Sequence, residues 1–121
     1  MASEFAEAVW GMVRRIPAGR ATTYGQLAEA YYGIRRGARG VGQAMAHAPD
    51  GVPWWRVVQA DGGMKAREDA DEQRARLREE GVELTGDGRV DWNRAGPWSP
   101  PQRGRGRDAR AARRARAPQQ G

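Results

Sequence analysis

The stretch "TTYGQLAEAYYGIRRGARGVGQAMAHA", residues 22–48, carries the start and stop signals of two short helices. Thr23 followed three residues later by Gln26 is a capping-box pattern at the start of a helix. The two glycines that bound "GIRRG", residues 33–37, are typical of a turn. The apolar residues between cap and turn form a short face: Leu27, Ala28 and Tyr31. The stretch therefore predicts a helix, a glycine-bounded turn and a second helix.

The second of these helices, within residues 38–48, is rich in small side chains. Each interior glycine destabilises a helix by about 1 kcal/mol relative to alanine, so Gly40 and Gly42 indicate a surface that another body approaches closely. Arg39 stands at the front of this surface. A nucleic-acid groove and a neighbouring helix would both fit. The pattern favours a helix-turn-helix, with an ordinary helical hairpin as the alternative.

The flanking segments complete a small, mostly helical fold. "SEFAEAVWGMVRRIPAG", residues 3–19, predicts a helix capped by Ser3, and "WWRVVQADGGM", residues 54–64, predicts a strand and turn. "DADEQRARLREEG", residues 69–81, predicts a charged helix docked through Ala70 and Leu77. Extended pieces on either side of "TGDG" predict a β-hairpin, and Trp92 and Trp98 are expected to cover the core. We predict a mostly α, winged-helix-like helix-turn-helix domain with a small β-hairpin.

The net charge of +6 is located in one segment. Residues 101–121 contain seven arginines and one aspartate, whereas residues 1–100 contain fourteen basic and fourteen acidic residues. The tail offers no apolar stripe that could pack, so its composition is typical of disorder. We predict a folded domain over residues 1–100 and a basic, disordered tail over residues 101–121.

The composition excludes several classes of site. The chain has no cysteine and one histidine, His47, which excludes thiolate nucleophiles and most metal centres. We therefore expect no metal and no cofactor. No apolar run is long enough to cross a bilayer, and the N-terminus carries acids where a signal peptide carries bases. We expect a cytoplasmic, nucleoid-associated monomer without membrane contact.

Four motifs in order, "TTYGQLA", "ARGVGQAM", "VPWWRVV" and "REEGVEL", resemble those of the C-terminal domain of the O6-alkylguanine-DNA alkyltransferases. The resemblance is stronger to the alkyltransferase-like proteins, which lack the alkyl-acceptor cysteine. It covers about residues 5–98 and leaves out the basic tail. The resemblance implies a DNA-binding domain.

The alkyltransferase motif Pro-Cys-His-Arg corresponds here to Pro53, Trp54, Trp55 and Arg56. The transfer reaction needs a thiolate, a histidine that takes its proton and a carboxylate that orients the histidine. The first two are replaced by tryptophan, and Glu80, which matches the carboxylate, is expected to be a structural hydrogen-bond acceptor. We therefore predict no catalytic residue and no enzymatic activity.

The same resemblance assigns DNA contacts residue by residue. Tyr24 would crowd the phosphate 3′ to the target nucleotide, and Arg39 would enter the base stack in place of a base that has been rotated out. The helix from Ala38 to Ala46 would lie in the minor groove, where only small side chains fit. The predicted DNA-binding residues are Tyr24, Arg39, Gly40, Gly42 and Gln43.

The rotated base would enter a lesion pocket in which Trp54 replaces the cysteine as an apolar wall. Arg67, which matches a loop arginine of the group, would lie against the face of that base. The predicted pocket residues are Val52, Pro53, Trp54 and Arg67. Trp55 and Arg56 are expected to pack inside the protein, and His47 to lie at a helix end or beside a phosphate.

The resemblance implies a non-enzymatic sensor that binds O6-alkylguanine in duplex DNA by base flipping and marks it for nucleotide excision repair proteins. The alternative is a general helix-turn-helix DNA-binding or regulatory protein with a vestigial pocket. In that case the tail would supply the affinity, and its seven arginines would steepen the logarithmic salt dependence of binding by roughly 6. A residual hydrolase or transferase would need a nucleophile and base that the sequence does not supply.

Overall fold

The computed structural model describes residues 3–33, 37–65 and 68–100. The described residues form four α-helices, two short strands and a 3-10 helix. The helices are α1 (Glu4–Arg14), α2 (Tyr24–Tyr32), α3 (Ala38–Ala46) and α4 (Ala70–Glu79). The strands are β1 (Thr22–Thr23) and β2 (Val57–Val58), and the 3-10 helix spans Trp54–Arg56. The predicted mostly α fold is confirmed. The predicted tail, residues 101–121, lies outside the described residues.

Helix α1 begins and packs as its sequence predicts. The Ser3 side chain accepts a hydrogen bond from the Ala6 backbone N–H at 3.0 Å, which caps the helix. The helix is joined to α3 by the indole of Trp10, whose Nε1 donates to the carbonyl of Ala44 at 2.9 Å. Its inward face contributes four buried residues: Val9, Trp10, Met12 and Val13. This face is the base on which the two following helices pack.

Helices α2 and α3 form the predicted helix-turn-helix pair. The Thr23 hydroxyl accepts from the Gln26 N–H at 3.0 Å, and α2 ends at Gly33, whose φ of 86° belongs to the left-handed region that glycine favours. Leu27 and Val41 are fully buried between the helices. Residues 34–36 of the intervening turn lie outside the described residues. With α1, the pair encloses the larger of two apolar clusters.

The small sheet connects this helical part to the rest of the chain. β1 and β2 pair in parallel, with Thr22 opposite Val57 and Thr23 opposite Val58. Successive residues of a strand point to opposite faces. Accordingly, Val57 is buried in the larger cluster and Val58 in a second cluster with Leu77 and Val90. The predicted hairpin around "TGDG" consists of one antiparallel bridge between Leu84 and Val90.

The strand predicted for residues 54–58 is shorter than expected. Trp54 to Arg56 form a 3-10 helix, in which the Arg56 N–H donates to the Pro53 carbonyl at 3.1 Å, and only Val57 and Val58 are extended. The physical reason is that the consecutive side chains of Trp55 and Arg56 both bond to Glu80, whereas successive residues of a strand point to opposite faces.

The last described segment, residues 96–100, crosses β1 and the start of α2. The Trp98 N–H donates to the Ala21 carbonyl at 2.8 Å, and the Thr22 hydroxyl donates to the Trp98 carbonyl at 2.5 Å. Trp98 packs against the larger apolar cluster and Trp92 against the second, as predicted. Within the described ranges no helix is long and apolar enough to span a bilayer, and no group of metal-ligating side chains could hold an ion.

Candidate functional site

A cavity of about 490 Å³ opens between the helix-turn-helix pair and the start of α4. We call it the Trp54 cavity. Its volume is in the range of pockets that accept small ligands, about 300–1,000 Å³. Its lining residues are Tyr24, Gly42, Met45, Ala46, Ala48, Trp54, Lys65, Asp69 and Gln73. Three residues predicted as functional, Tyr24, Gly42 and Trp54, are thus brought together although thirty positions separate the first from the last.

Trp54 forms one apolar wall of the cavity and is half-buried. Its backbone is fixed on both sides, since its N–H donates to the Val52 carbonyl at 2.7 Å and its carbonyl accepts from the Val57 N–H. Val52 and Pro53, also predicted as pocket residues, are buried. Neither is among the described residues that line the cavity. Arg67, the fourth predicted pocket residue, lies outside the described residues.

Trp55 points away from the cavity, as predicted. Its ring packs against the second apolar cluster and meets the Trp54 ring edge to face, with centroids 6.0 Å apart and planes at 88°. The Trp55 Nε1 donates to the Glu80 carboxylate at 3.0 Å. The guanidinium carbons of Arg76 and Arg56 lie 4.5 Å and 5.3 Å from the Trp55 ring centroid. Because a 3-10 helix has three residues per turn, successive side chains project about 120° apart, so the two tryptophans face different sides.

Arg56 and Glu80 form an ion pair at the centre of this arrangement, with both side chains 15% exposed. The Arg56 Nη2 donates to Glu80 at 2.6 Å, its Nε donates to the same carboxylate at 3.0 Å, and its Nη1 donates to the Ile16 carbonyl at 2.8 Å. The predicted structural roles of Arg56 and Glu80 are confirmed. We call Trp55, Arg56, Gln73, Arg76 and Glu80 the Glu80 cluster.

The charge on Glu80 is maintained by its hydrogen-bond donors. Burial of this carboxyl would raise its pKa, but hydrogen bonds from Arg56, Trp55 and the Gly19 N–H outweigh burial and hold the pKa below its ordinary value. Each of these donors is a group of the protein that bonds directly to the Glu80 carboxylate. The carboxylate is therefore a structural acceptor that orients no proton-transfer group.

Gln73, which sequence reasoning missed, belongs to both the Glu80 cluster and the lining of the Trp54 cavity. Its side chain amide is buried in α4 and donates to the carbonyls of Trp55 at 3.1 Å and Val57 at 2.9 Å. It also lines the Trp54 cavity. The signal was present in the sequence, because Gln73 stands four residues before Leu77 and so shares its buried helix face.

Another part of the cavity lining consists of the Tyr24 ring and the Lys65 ammonium. Burial raises the pKa of the Tyr24 hydroxyl above its ordinary value, so this hydroxyl stays protonated and can donate a hydrogen bond. The Lys65 ammonium lies 5.1 Å from the Tyr24 ring centroid. A Cβ added at Gly42 would lie 2.3 Å from the Lys65 Nζ, so the absence of a side chain there leaves room for the ammonium.

Lys65 and Asp69 are further lining residues that sequence reasoning missed. Lys65 is the single lysine among the 21 basic residues of the sequence, which is the one signal that could have found it. Asp69 precedes α4 and is exposed. Among the described residues, the cavity therefore presents an indole wall, a phenol and one charge of each sign.

The remaining predicted DNA-binding residues lie on α3. Arg39 and Gln43 are exposed and stand four residues apart, on one side of the helix. Gly40 instead faces α1, since an added Cβ would lie 3.5 Å from the Phe5 ring. His47 is exposed at the C-terminus of α3, the predicted helix end. The helix thus turns its polar side to solvent and Gly42 towards the Trp54 cavity.

Two relatives resemble this chain over most of their length. Alkyltransferase-like protein 1 of Schizosaccharomyces pombe is 46% identical over 86 residues, 67% of this chain and 79% of its own length. A protein of Escherichia coli named DNA base-flipping protein is 40% identical over 93 residues, 74% of this chain and 71% of its own length.

The fold is shared with a solved DNA complex. The crystal structure of S. pombe Atl1 with damaged DNA containing O6-carboxymethylguanine matches with a TM-score of 0.68 and 37% sequence identity, covering 83% of this chain and all of the other. The family model described as the 6-O-methylguanine DNA methyltransferase DNA-binding domain matches residues 4–82. The chain therefore belongs to the family of the 6-O-methylguanine DNA methyltransferase DNA-binding domains, with the alkyltransferase-like proteins among its relatives.

Proposed function

We propose that this protein binds O6-alkylguanine in duplex DNA, rotates the base out of the helix into the Trp54 cavity and holds it there without removing the alkyl group. The observation that carries the proposal is the placement of Trp54, at the position of the alkyltransferase cysteine, as a wall of a cavity beside α3. Rotation of a base out of the stack costs a few kcal/mol, and less for a weakly paired, alkylated base. Stacking or apolar contact with an aromatic wall returns about 1–3 kcal/mol per base.

The surroundings of the cavity fit a role in DNA binding. Arg39 and Gln43 are exposed on α3, next to the residues of that helix that line the cavity. We assign Arg39 to the vacated position in the base stack and Tyr24 to the phosphate that turns with the base. Gly42 keeps α3 thin beside the cavity, Gly40 lets α3 pack on α1 at Phe5, and Val52 and Pro53 support the Trp54 wall from inside. Arg67 is proposed to cover the base on the basis of the sequence resemblance alone.

The absence of alkyl transfer follows from the chemistry of the residues at the site. The sequence contains no cysteine, and an indole does not displace an alkyl group at neutral pH. The Glu80 carboxylate is bonded to Trp55 and Arg56, with no histidine to orient. The proposal therefore ends at recognition: the bound, distorted DNA would mark the lesion for nucleotide excision repair, and the protein would remain with the chromosomal DNA.

A paired titration tests the proposal. Two duplexes of one sequence, differing by a single O6-methyl group, are titrated with the full-length protein at several salt concentrations. We expect tighter binding to the alkylated duplex, with a preference that persists as salt weakens both complexes. Equal affinities would contradict the proposal and favour a general DNA-binding protein with a vestigial pocket.

Two further arms examine the assigned roles. Arg39→Ala should weaken binding to both duplexes, whereas Arg78→Ala, on the exposed side of α4, serves as the matched control. A duplex carrying a radiolabelled O6-methyl group should keep its label after incubation. Label on the protein or in solution would show that the chain is an enzyme after all.

A further inference from the structure

The Glu80 cluster lies directly behind the wall of the Trp54 cavity, and its contacts converge on one ring. The Trp55 indole is held at its edge by the bond from Nε1 to Glu80, and the Arg76 guanidinium lies 4.5 Å from its centroid. The backbone carbonyl of Trp55 accepts a hydrogen bond from the Gln73 side chain at 3.1 Å. Three side chains of α4 and its C-terminal cap therefore fix Trp55.

Trp54 rests on the ring that these contacts fix. The two rings meet at 88° with centroids 6.0 Å apart, an edge-to-face pair of the kind that contributes about 0.5–1.5 kcal/mol beyond area burial. Trp54 itself lines the open cavity. The contact with the Trp55 ring therefore sets the plane of the wall.

We propose that Trp55 is a positioning residue for lesion recognition: it holds the plane of Trp54 for stacking on the extrahelical base and couples that plane to Arg76 on α4. This inference rests on the proposed function. A histidine, the residue found here in the alkyltransferase motif, could keep the bond to Glu80 but presents a smaller ring to Trp54. The second tryptophan thus contributes to recognition without contacting DNA.

Arg76 allows the coupling to be tested from a distance. Its guanidinium lies over Trp55 and pairs with Glu72 at 2.9 Å, and it does not line the cavity. A cation over an indole contributes about 0.5–1 kcal/mol at an exposed site. Removing it should loosen Trp55 and, through Trp55, the wall. Arg78→Met, on the same helix and exposed, is the matched control, and Glu72→Gln removes the ion pair while keeping the guanidinium.

The experiment is a double-mutant cycle on the preference for the O6-methylguanine duplex over its unmodified twin, measured with the full-length protein. Trp55→Ala should reduce the preference about three- to tenfold, and Arg76→Met about twofold to threefold. In the Trp55→Ala background Arg76→Met should add nothing, because the connecting ring is gone. A preference unchanged in Trp55→Ala, or an Arg76→Met effect of equal size in both backgrounds, overturns the inference. If Trp55→Ala does not fold by circular dichroism, Trp55→Leu replaces it in the cycle, because leucine fills part of the space without an aromatic ring.

A second readout uses the free protein and separates this inference from the proposed function. The chain labelled with 5-fluorotryptophan gives one ¹⁹F resonance for each of its five tryptophans, and Trp54→Phe identifies that of Trp54. Arg76→Met should shift or broaden the Trp54 resonance, whereas Arg78→Met should leave it unchanged. A Trp54 resonance that is unchanged by Arg76→Met overturns the positioning role of Trp55. A wild-type chain that shows this response but no lesion preference would contradict the proposed function alone.

Discussion

Trp54 and Trp55 are chemically identical neighbours with opposite surroundings. The Trp54 side is an open cavity lined by Tyr24, Lys65 and Asp69, whereas the Trp55 side is filled by an ion pair, two guanidinium contacts and a hydrogen bond from the indole. The difference shows how one short 3-10 helix serves two purposes. Under the proposed function, Trp54 leaves one face free for the base, and the proposed role of the fully engaged Trp55 is to hold its orientation.

Arg56→Met should be the most damaging change, because it acts on the filled side. The Glu80 carboxylate would lose its cation and the Ile16 carbonyl its donor, both largely out of water. Breaking a buried pair on one side costs about 3 kcal/mol in the free energy of unfolding. Urea denaturation at neutral pH measures it. The control Arg78→Met should stay within about 0.5 kcal/mol of wild type, and an equal loss in both would show that the ion pair contributes nothing specific.

Trp54→Ala acts on the open side and should affect binding. We expect a loss of about 1–3 kcal/mol in the preference for the alkylated duplex, which is about five- to 150-fold. Fluorescence anisotropy with the two duplexes measures this preference. Trp92→Ala is the control, because Trp92 donates to the Ala60 carbonyl and packs in the second cluster, outside the cavity. Equal loss of preference in both variants would contradict a special role for the wall.

Two glycines sharpen the comparison, since an added Cβ would meet a neighbour at 2.3 Å at Gly42 and at 2.5 Å at Gly62. At Gly62 the neighbour is the Val90 backbone carbonyl and φ is +86°, so Gly62→Ala should destabilise the protein by about 1–2 kcal/mol. At Gly42 the neighbour is the flexible tip of Lys65, which can move, and alanine is the better helix former. Gly42→Ala should therefore leave the unfolding free energy within about 0.5 kcal/mol of wild type. Thermal denaturation of the two variants distinguishes these outcomes. Similar losses of unfolding free energy in both would contradict the expectation that the Lys65 side chain moves aside.

The smallest expected effect is a pH dependence that originates in the Glu80 cluster. Because the pKa of Glu80 in the folded state lies below its ordinary value of 4.5, its charge contributes stability above that pH. This contribution is lost as the pH falls through the lowered pKa. Glu80→Gln, which cannot titrate, should show a weaker decline in unfolding free energy on acidification than wild type. Parallel declines in chemical denaturation series would show that Glu80 is not a source of the dependence.

Much of the fold could be predicted because its signals are local. Ser3 and Thr23 cap helices through hydrogen bonds to residues three positions away, and glycine ends α2 where the backbone turns left-handed. The strand through Trp54 was predicted too long, because its 3-10 start depends on distant partners. Glu80 accepts from the Trp55 side chain and Gln73 donates to the backbone carbonyls of Trp55 and Val57, and both stand 16 or more residues further along the chain.

The sequence by itself determined that this chain has no cysteine and that tryptophan stands where the resemblance places the alkyltransferase acceptor. Those facts depend on residue identity alone, and so does the loss of the thiolate chemistry. Only the tertiary structure decided that Lys65, Asp69 and Gln73 line the cavity and that Glu80 bonds to Trp55 behind it. The physical reason is that a side chain's surroundings depend on long-range packing: β2 and α4 place Glu80 behind Trp55, and that contact leaves Trp54 to face α2 and α3.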